Sequence, residues 1–231
     1  MQIMASPTPS LSITQAWFIV AAISILICLT NIDYTAVNLA LVSISDHVDA
    51  DLNTLQWLLS AYVLTWAAFV IPGSKLADIY GRRNMLILGI GFFILGSLLT
   101  GLGSTIEILI LGRIIQGIGA AIFTPPCYAT VFSVMPSHKQ GIAMGTVVAA
   151  SGLGLSAGPT LAGFILKYLS WQWIFYINIP LGLLVVFYII LFVPKDQQRN
   201  PSIKIDSISV ILLSMGFAGV LFALNQIEVW G

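Results

Sequence analysis

The sequence predicts an all-α polytopic membrane protein, and composition, segment length and residue patterning all support that fold class. Hydrophobic residues make up 58% of the 231 residues and charged residues only 8%, which is far from the usage of soluble globular domains. The apolar residues gather in segments of roughly 20 residues or more, the length that a helix needs to cross a bilayer. Strands of a membrane barrel would instead alternate in polarity over about 10 residues.

Seven apolar segments are the predicted transmembrane helices. They cover residues 16–41, 54–74, 84–103, 106–132, 141–166, 173–193 and 207–226. The leader before the first segment contains no Lys or Arg, and no small-residue cleavage site closes the segment. We therefore expect an uncleaved first helix rather than a signal peptide.

Basic residues predict the orientation of the chain, because short cytoplasmic loops retain Lys and Arg. With a cytoplasmic N-terminus, Lys167 falls outside and Arg113 lies within a helix, while the other basic residues fall inside: Lys75, Arg82, Arg83, Lys139, Lys195, Arg199 and Lys204. The loop 46–53 is then on the outer side. We predict a multi-pass protein of the cell (inner or plasma) membrane. The even balance of acidic and basic residues gives no reason to expect a nucleic-acid surface.

The polar residues do not assemble into a catalytic or metal site. His47 and His138 lie in opposite loops with no second ligand nearby, so a metal site is not expected. Cys28 and Cys127 fall inside predicted helices, where they act as small apolar side chains. The glycines of residues 117–119 lack the preceding strand of a nucleotide loop, so helix packing is their predicted role. We expect neither an enzyme nor a bound cofactor.

The connector between the second and third segments carries a dense charged motif. It resembles the loop signature of the major facilitator superfamily of secondary transporters, Gly-x-Leu-Ala-Asp-Arg-x-Gly-Arg-Arg, at Leu76, Ala77, Asp78, Gly81, Arg82 and Arg83. Ser74 and Ile79 depart from the signature. The resemblance implies a gating loop formed by Asp78, Gly81, Arg82 and Arg83, in which Asp78 contacts the two arginines.

The fourth segment carries an intramembrane charge. Its residues 113–119 resemble the Arg-x-x-Gln-Gly-x-Gly motif of the same superfamily. At about 100° per residue, Arg113, Gln116 and Thr124 share one helix face. A charged side chain that faced lipid would be costly, so this face must meet protein partners or a watery cavity.

The fifth segment resembles the signature of the antiporters in this superfamily, Gly-x-x-x-Gly-Pro-x-x-Gly-Gly, at Gly154, Gly158, Pro159 and Gly163. Ala162 replaces one glycine. Small residues at four-residue spacing, beginning with Gly141 and Gly145, would let two helix backbones approach closely. Two interpretations of this antiporter-motif helix stay open: a plain packing seam, or a bend at Pro159 between two packed helices.

Two further motifs narrow the resemblance to one branch. Residues 33–41 resemble the Asp-x-Thr-Val-Val-Asn-Val-Ala-Leu motif of the fourteen-helix drug:proton antiporters, the EmrB/QacA type. Residues 171–182 resemble the start of the sixth helix in that branch, with Gln172 in place of a common arginine. Trp and Tyr side chains suit the membrane interface, so we predict those of the second motif to be anchors rather than ligand contacts.

The resemblance also implies the domain organisation of half a transporter. Residues 1–15 form the expected cytoplasmic tail and residues 16–193 an N-terminal six-helix bundle with a 3+3 inverted repeat. Residues 194–206 form a cytoplasmic linker, and residues 207–231 form the seventh helix with the start of an outer loop. The C-terminal half is absent from this sequence, so we expect a truncated or split transporter, or a fragment.

Asp33 and Arg113 are the charged residues that lie well inside the predicted spans, away from their ends. At 1.5 Å per residue both lie roughly 10 to 15 Å below the outer surface, so contact between them is possible. Two interpretations stay open: a fixed buried ion pair, or a proton-coupling pair whose carboxyl exchanges a proton as cargo binds. The predicted lining of the substrate cavity is Tyr34, Asn38, Tyr62, Trp66, Gln116 and Thr124.

The leading hypothesis is a proton-driven exporter of lipophilic or cationic drugs that works by alternating access. The resemblance implies the lipid bilayer, a drug-like substrate, protons and the missing half as partners, with a membrane-fusion adaptor as a further candidate. The proton motive force takes the place of a cofactor. The alternatives are a nutrient or metabolite importer on the same fold, and a non-transporting remnant or accessory subunit.

Overall fold

The computed structural model describes residues 11–194 and, farther along the chain, five single positions in helical conformation: Leu212, Met215, Gly216, Gly219 and Ala223. The first of these two parts forms α1 (Ile13–Val48), α2 (Leu52–Tyr80), α3 (Arg82–Leu102), α4 (Ile106–Val134), a short 3-10 turn (Ser137–Lys139), α5 (Gln140–Tyr168), α6 (Trp173–Tyr176) and α7 (Asn178–Phe192). Because α6 and α7 lie end to end as one span, the described residues contain six helical segments long and apolar enough to cross a membrane. The all-α polytopic fold class is confirmed. The predicted linker and seventh helix fall outside the described residues, apart from Pro194 and the five single positions.

The first helix begins earlier than its predicted span. Ser12 and Gln15 form a reciprocal capping box, in which Ser12 Oγ accepts from the Gln15 backbone N–H at 3.2 Å. Gln15 Oε1 in turn accepts from the Ser12 backbone N–H at 3.0 Å. This pair satisfies two backbone donors that a helix start leaves free, so α1 starts at Ile13. The predicted tail, residues 1–15, is too long by its last residues.

The first helix also ends later than predicted. Ile44, beyond the predicted end at residue 41, is fully buried and keeps the last turns of α1 packed on the bundle. The helix stops only where Asp49 takes a left-handed conformation, with φ of 49°. The predicted outer loop 46–53 is therefore reduced to the short turn between α1 and α2. The predicted end at residue 41 was too early because polar residues follow the apolar stretch, whereas the helix continues through them.

The sixth span is interrupted near its start. Pro180 has no N–H and cannot donate to the carbonyl of Tyr176 four residues earlier. The regular helix accordingly breaks at Ile177, between α6 and α7. The break places Asn178 at the first position of α7, inside the bundle.

The two tryptophans before this break have different environments. Trp171 is only 5% exposed and packs edge-on against His47 and Phe175, with ring centroids 5.5 Å and 6.1 Å apart. Trp173 is 49% exposed. The prediction that this motif supplies interfacial anchors is therefore wrong for Trp171, because the chain before α6 folds back onto the end of α1.

Glycines set the close packing of α3 on α4. A Cβ added at Gly96 would lie 2.5 Å from the Gly112 carbonyl oxygen, and one at Gly119 would lie 2.6 Å from the Gly89 carbonyl oxygen. Real Cβ atoms do not approach main-chain oxygens so closely, so the two helices touch backbone to backbone. Gly117 meets the Tyr62 carbonyl oxygen of α2 in the same way, at 2.6 Å. The predicted packing role of residues 117–119 is confirmed.

The antiporter-motif helix packs on α1 through part of its glycine stripe. Gly154 faces the carbonyl of Cys28, and Gly158 faces the hydroxyl of Thr35. A Cβ added at Gly141 or Gly145 would meet no described atom within 4 Å. Nine residues separate Gly145 from Gly154, which at about 100° per residue places them on opposite sides of α5. The prediction of close packing along the whole stripe is therefore wrong within the described residues.

The rest of this motif makes looser contacts. A Cβ added at Gly163 would reach only Leu39, at 3.8 Å. Pro159 is exposed and lies inside α5, which continues as one helix through it.

Candidate functional site

Five polar side chains meet in the middle of the bundle, and none of them is exposed to solvent. We call this set the polar cluster: Asp33 from α1, Ser97 from α3, Arg113 and Gln116 from α4, and Asn178 from α7. Apolar cores lie on either side of it along α1, one containing Ile27 and the other Ala36. The cluster is therefore a polar layer between two apolar layers.

Asp33 accepts hydrogen bonds from three side chains of the cluster. Its Oδ2 accepts from Arg113 Nη1 at 2.5 Å, which is also an ion pair between two fully buried side chains. Its Oδ1 accepts from Asn178 Nδ2 at 2.7 Å and from Gln116 Nε2 at 3.3 Å. Both carboxylate oxygens are thus occupied by donors from α4 and α7.

Arg113 keeps several contacts besides Asp33. Its Nε donates to the Leu58 carbonyl at 3.1 Å, and its Nη1 donates also to Gln116 Oε1 at 2.8 Å. The guanidinium carbon lies over the Tyr62 ring, 4.3 Å from the centroid, and 5.9 Å from the centroid of Phe175. Helix α2 therefore holds the guanidinium through a carbonyl and an aromatic face.

Ser97 joins the two amides of the cluster. Its Oγ accepts from Gln116 Nε2 at 2.7 Å and from Asn178 Nδ2 at 3.2 Å. The same hydroxyl donates to the Phe93 carbonyl at 2.9 Å, which fixes its orientation on α3. Ser97 thus anchors the side chains that in turn hold Asp33.

The cluster combines one acid and one base, and its formal charge is zero when both are ionised. A carboxylate only accepts hydrogen bonds and a guanidinium only donates them, so the observed pattern suits the ionised pair. A proton on Asp33 would add a donor where three donors already point. Arg113 Nη2 and Asn178 Oδ1 have no hydrogen-bond partner among the described residues, which leaves a spare donor and a spare acceptor.

A cavity of about 340 Å³ lies beside the cluster, between α1, α2, α4 and α5. Its lining is aromatic, hydroxyl-bearing and amide-bearing: Ile27, Thr30, Asn31, Tyr34, Tyr62, Val63, Trp66, Thr124, Tyr128 and Ser151. Asn31 Nδ2 donates to Ser151 Oγ at 3.2 Å and links α1 to α5 across it. None of these lining residues is Asp, Glu, Lys, Arg or His. The described wall can therefore bind a ligand by stacking and hydrogen bonding, but not through a formal charge.

The structure divides the predicted cavity residues between three places. Tyr34, Tyr62, Trp66 and Thr124 line the cavity. Gln116 lies in the polar cluster instead. Asn38 is exposed, donates to the Tyr34 carbonyl at 3.4 Å and is not part of the lining. Asn38 lies on α1 one turn after Tyr34, beyond the part of the helix that lines the cavity.

The loop between α2 and α3 uses its basic residues to hold other helices. Gly81 takes a positive φ of 93°, a conformation that glycine adopts without strain. Arg82 Nη1 donates to the Ala129 carbonyl of α4 at 3.0 Å, and Arg83 Nη2 donates to the Ile190 carbonyl of α7 at 2.6 Å. Asp78 is exposed, and no hydrogen bond or ion pair between described residues joins it to either arginine. The expected contact of Asp78 with these arginines stays a prediction; the described partners of Arg82 and Arg83 are helix carbonyls.

Several residues of this site were not singled out from the sequence. Ser97 and Asn178 complete the polar cluster, and Thr30, Asn31, Tyr128 and Ser151 add to the cavity lining. Asn178 had one usable signal, since it is an amide at the start of an otherwise apolar span. Ser97 had none, because a single serine in an apolar helix commonly bonds to its own backbone.

Comparisons with known proteins agree with this architecture. A family model described as Major Facilitator Superfamily matches residues 23–230. The lincomycin resistance protein LmrB of Listeria monocytogenes is 33% identical over 195 residues, which is 83% of this chain and 41% of the relative. Multidrug resistance protein 3 of Bacillus subtilis is 34% identical over 211 residues, 90% of this chain and 40% of the relative. The riboflavin transporter RibZ of Clostridioides difficile is 30% identical over 212 residues, which is 92% of this chain and 46% of the relative. The chain thus spans less than half the length of these relatives.

Proposed function

This chain belongs to the Major Facilitator Superfamily, and on that premise we propose that it is the N-terminal half of a proton-coupled exporter of lipophilic or cationic drug-like molecules. The observation that carries the proposal is the buried Asp33–Arg113 pair beside an aromatic cavity. An ionisable pair inside a membrane helix bundle is expensive to keep, and such pairs mark ion or proton pathways. The chain is a membrane transporter rather than an enzyme.

The proposed coupling step is the protonation of Asp33. A proton on the carboxyl removes its negative charge, and the cluster then carries the unbalanced charge of Arg113. The guanidinium keeps its hydrogen bonds to the Leu58 carbonyl and to Gln116 Oε1, so it remains held by α2 and α4. Protonation would therefore weaken the attachment of α4 to α1, and a weaker attachment would favour a change in helix packing. Such a change, repeated against a second bundle, is the basis of alternating access.

The proposed cargo follows from the cavity lining and from the named relatives. Tyr34, Tyr62 and Trp66 offer ring faces, while Thr124 and Asn31 offer hydrogen-bonding groups. Relatives are named for resistance to lincomycin, for multidrug resistance and for riboflavin transport. An organic molecule with an aromatic or lipophilic body fits both observations. A positively charged cargo would need its counter-charge from outside this lining.

The proposed setting is the cell membrane, with the N-terminus in the cytoplasm and the lipid bilayer, protons and a second helix bundle as partners. In the gating loop, exposed Asp78 is free to meet a helix end of that second bundle, while Arg82 and Arg83 hold the loop to α4 and α7. A bend at Pro159 in the antiporter-motif helix, next to the Gly158 contact with α1, would let α5 move against α1. A membrane-fusion adaptor remains a candidate partner.

The test of this function is Asp33→Asn in a complete transporter, made by producing the chain with the second half of a relative. Asparagine keeps an acceptor oxygen for Arg113 but cannot exchange a proton. We expect proton-driven uphill accumulation of ethidium in inverted vesicles to be lost, while downhill movement continues. Asp46→Asn is the matched control, because Asp46 is an exposed acid on the same helix and should leave coupling unchanged.

Three outcomes would contradict the proposal in different ways. Uphill accumulation of ethidium by Asp33→Asn at the wild-type rate would remove Asp33 from proton coupling. Loss of folded protein in Asp33→Asn, with rescue by a second change Arg113→Gln, would favour the fixed ion pair. Failure of every complemented chain to move cargo would favour the non-transporting remnant or accessory subunit.

A second candidate function is the uptake of a metabolite on the same fold. The observation that favours a metabolite as substrate is the similarity to a protein named as a riboflavin transporter, a name that gives no direction of transport. Vesicles of both orientations distinguish the two functions, because an importer accumulates its substrate in right-side-out vesicles and an exporter in inverted ones.

A further inference from the structure

Tyr62 belongs to the cavity and to the surroundings of the buried ion pair at once. It lines the cavity, yet its side chain is only 5% exposed. One contact of its ring is with the Arg113 guanidinium, 4.3 Å from the ring centroid. Another is with the Tyr34 ring, at a centroid distance of 6.2 Å and an angle of 29° between the ring planes. Of the residues that line the cavity, Tyr62 is the one with a described contact to Arg113.

The carboxylate itself is separated from the cavity. Asp33 is fully buried and is not part of the lining, whereas its neighbour Tyr34 is 36% exposed and is. Successive residues of a helix point about 100° apart, which turns Asp33 into the bundle and Tyr34 towards the cavity. A cargo molecule in the cavity therefore cannot replace the hydrogen bonds of Asp33. A residue that contacts both sites can transmit an effect of the proton to the cargo, in addition to any through-space attraction or repulsion between their charges.

The backbone of Tyr62 is also tied to the helix that carries Arg113. A Cβ added at Gly117 would lie 2.6 Å from the Tyr62 carbonyl oxygen, so α2 and α4 are in backbone contact at this residue. Arg113 lies one turn before Gly117 and donates to the Leu58 carbonyl, one turn before Tyr62. The ring therefore has little freedom to leave the guanidinium unless α2 and α4 separate.

We infer that the Tyr62 ring is the positioning residue that transmits the protonation of Asp33 to the cargo cavity, an inference that rests on the proposed proton coupling. While Asp33 is ionised, Arg113 is shared between the carboxylate and the aromatic face. Once Asp33 is protonated, the guanidinium loses its carboxylate and holds the electron-rich ring face more strongly. The ring is then less able to stack on cargo, so cargo binds more weakly to the protonated protein.

Linkage makes this effect reciprocal. If protonation lowers the affinity for cargo by some factor, cargo lowers the affinity for the proton by the same factor. The charged group that contacts Asp33 is Arg113 of α4, and the titratable Tyr62 of α2 lies against that guanidinium. Helix α5 packs on this part of α1 through glycines. Helices α3 and α7 present the uncharged Ser97 and Asn178. The pH dependence of cargo binding is therefore expected to arise at Asp33.

The test measures ethidium binding to the 231-residue chain in lipid nanodiscs by fluorescence, in acidic and in alkaline buffer. For the wild type we expect a dissociation constant at least about fivefold lower in alkaline buffer, the lower end of typical coupling factors. The quantity compared between variants is the ratio of the dissociation constant in acidic buffer to that in alkaline buffer. Tyr62→Phe keeps the ring face and should keep this ratio. Tyr62→Leu removes the ring and should bring the ratio to one. Tyr62→Met is measured beside it, so that a folding defect of one variant does not decide the result.

Trp66→Leu is the matched control, because it removes a cavity ring that has no described contact with Arg113 or with the Tyr62 ring. It should weaken binding in both buffers and leave the ratio unchanged. A wild-type ratio retained in Tyr62→Leu and Tyr62→Met, but lost in Asp33→Asn, would overturn the role of Tyr62 and leave the proposed function standing. A ratio of one in the wild type, a ratio retained in Asp33→Asn, or no ethidium binding at all would overturn the inference together with the proposed coupling.

Discussion

Ser97 has the smallest side chain of the polar cluster and holds two of its members. Its hydroxyl accepts from Gln116 and Asn178, which both donate to Asp33. We expect Ser97→Ala to lower the free energy of unfolding by about 1–3 kcal/mol, because two buried amides each lose an acceptor. Urea or thermal unfolding of the purified chain, followed by circular dichroism, measures this change.

Ser24 provides the matched control for that substitution. It is 7% exposed on α1, and its hydroxyl has no hydrogen-bond partner among the described residues. Ser24→Ala removes a hydroxyl that makes no described hydrogen bond, so it should leave stability unchanged or slightly raise it. Equal losses in the two variants would mean that the bonds of Ser97 do not stabilise the cluster.

The residues of the site differ in how well sequence could predict them. Asp33 and Arg113 stand out because charge is rare inside membrane spans, and depth counting placed them at similar levels. The structure joins them in an ion pair. Ser97 and Asn178 could not be assigned, because the rotation of α3 and α7 about their axes depends on packing against α4 and α1. Asn38 shows the opposite error, since a polar residue one turn along the helix from a cavity residue need not reach the cavity.

At the scale of helices, the seam between α3 and α4 depends on the absence of side chains. Gly119→Ala would place a methyl group 2.5 Å from the Phe93 backbone nitrogen and 2.6 Å from the Gly89 carbonyl oxygen. Rigid backbone atoms surround it, so we expect a loss of about 1–3 kcal/mol in stability from overpacking. The melting temperature of the purified chain measures this loss.

Gly91 is the matched control for the seam, because a Cβ added there would meet nothing within 4 Å. Gly91→Ala lies in α3 and should raise stability by about 0.5–1 kcal/mol, since alanine loses less entropy in a helix than glycine. If Gly119→Ala were as stable as Gly91→Ala, the close approach of the two helices would not be needed for the fold.

Helix existence was easier to predict from sequence than helix ends or helix faces. The six described spans follow from apolar length alone. Their ends do not follow from it. Helix α1 continues through Ser45 and His47 because Ile44 is buried, and it ends at Val48 because Asp49 takes a left-handed conformation. The four-residue spacing also gave a wrong prediction for Gly145. Gly145 and Gly154 were expected on one continuous packing stripe, but they lie on opposite sides of α5.

For the whole molecule, function depends on which way the bundle sits in the membrane. Basic residues in the loop between α2 and α3, and Lys139 after α4, favour a cytoplasmic position for that end of the bundle. The opposite end carries the α1–α2 and α3–α4 turns. Under the proposed function, orientation decides whether the proton reaches Asp33 from outside and whether cargo leaves or enters the cell.

Cysteine labelling tests this orientation with a matched pair of serines. Ser104 and Ser137 are both exposed, and they flank α4 at its two ends. In a chain whose Cys28 and Cys127 are replaced, Ser104→Cys should react with an impermeant maleimide in intact cells, and Ser137→Cys only after the membrane is opened. Both changes replace a hydroxyl by a thiol outside the helix, so neither should disturb folding. Labelling of Ser137→Cys in intact cells would reverse the orientation and, with it, the direction of the proposed proton flow.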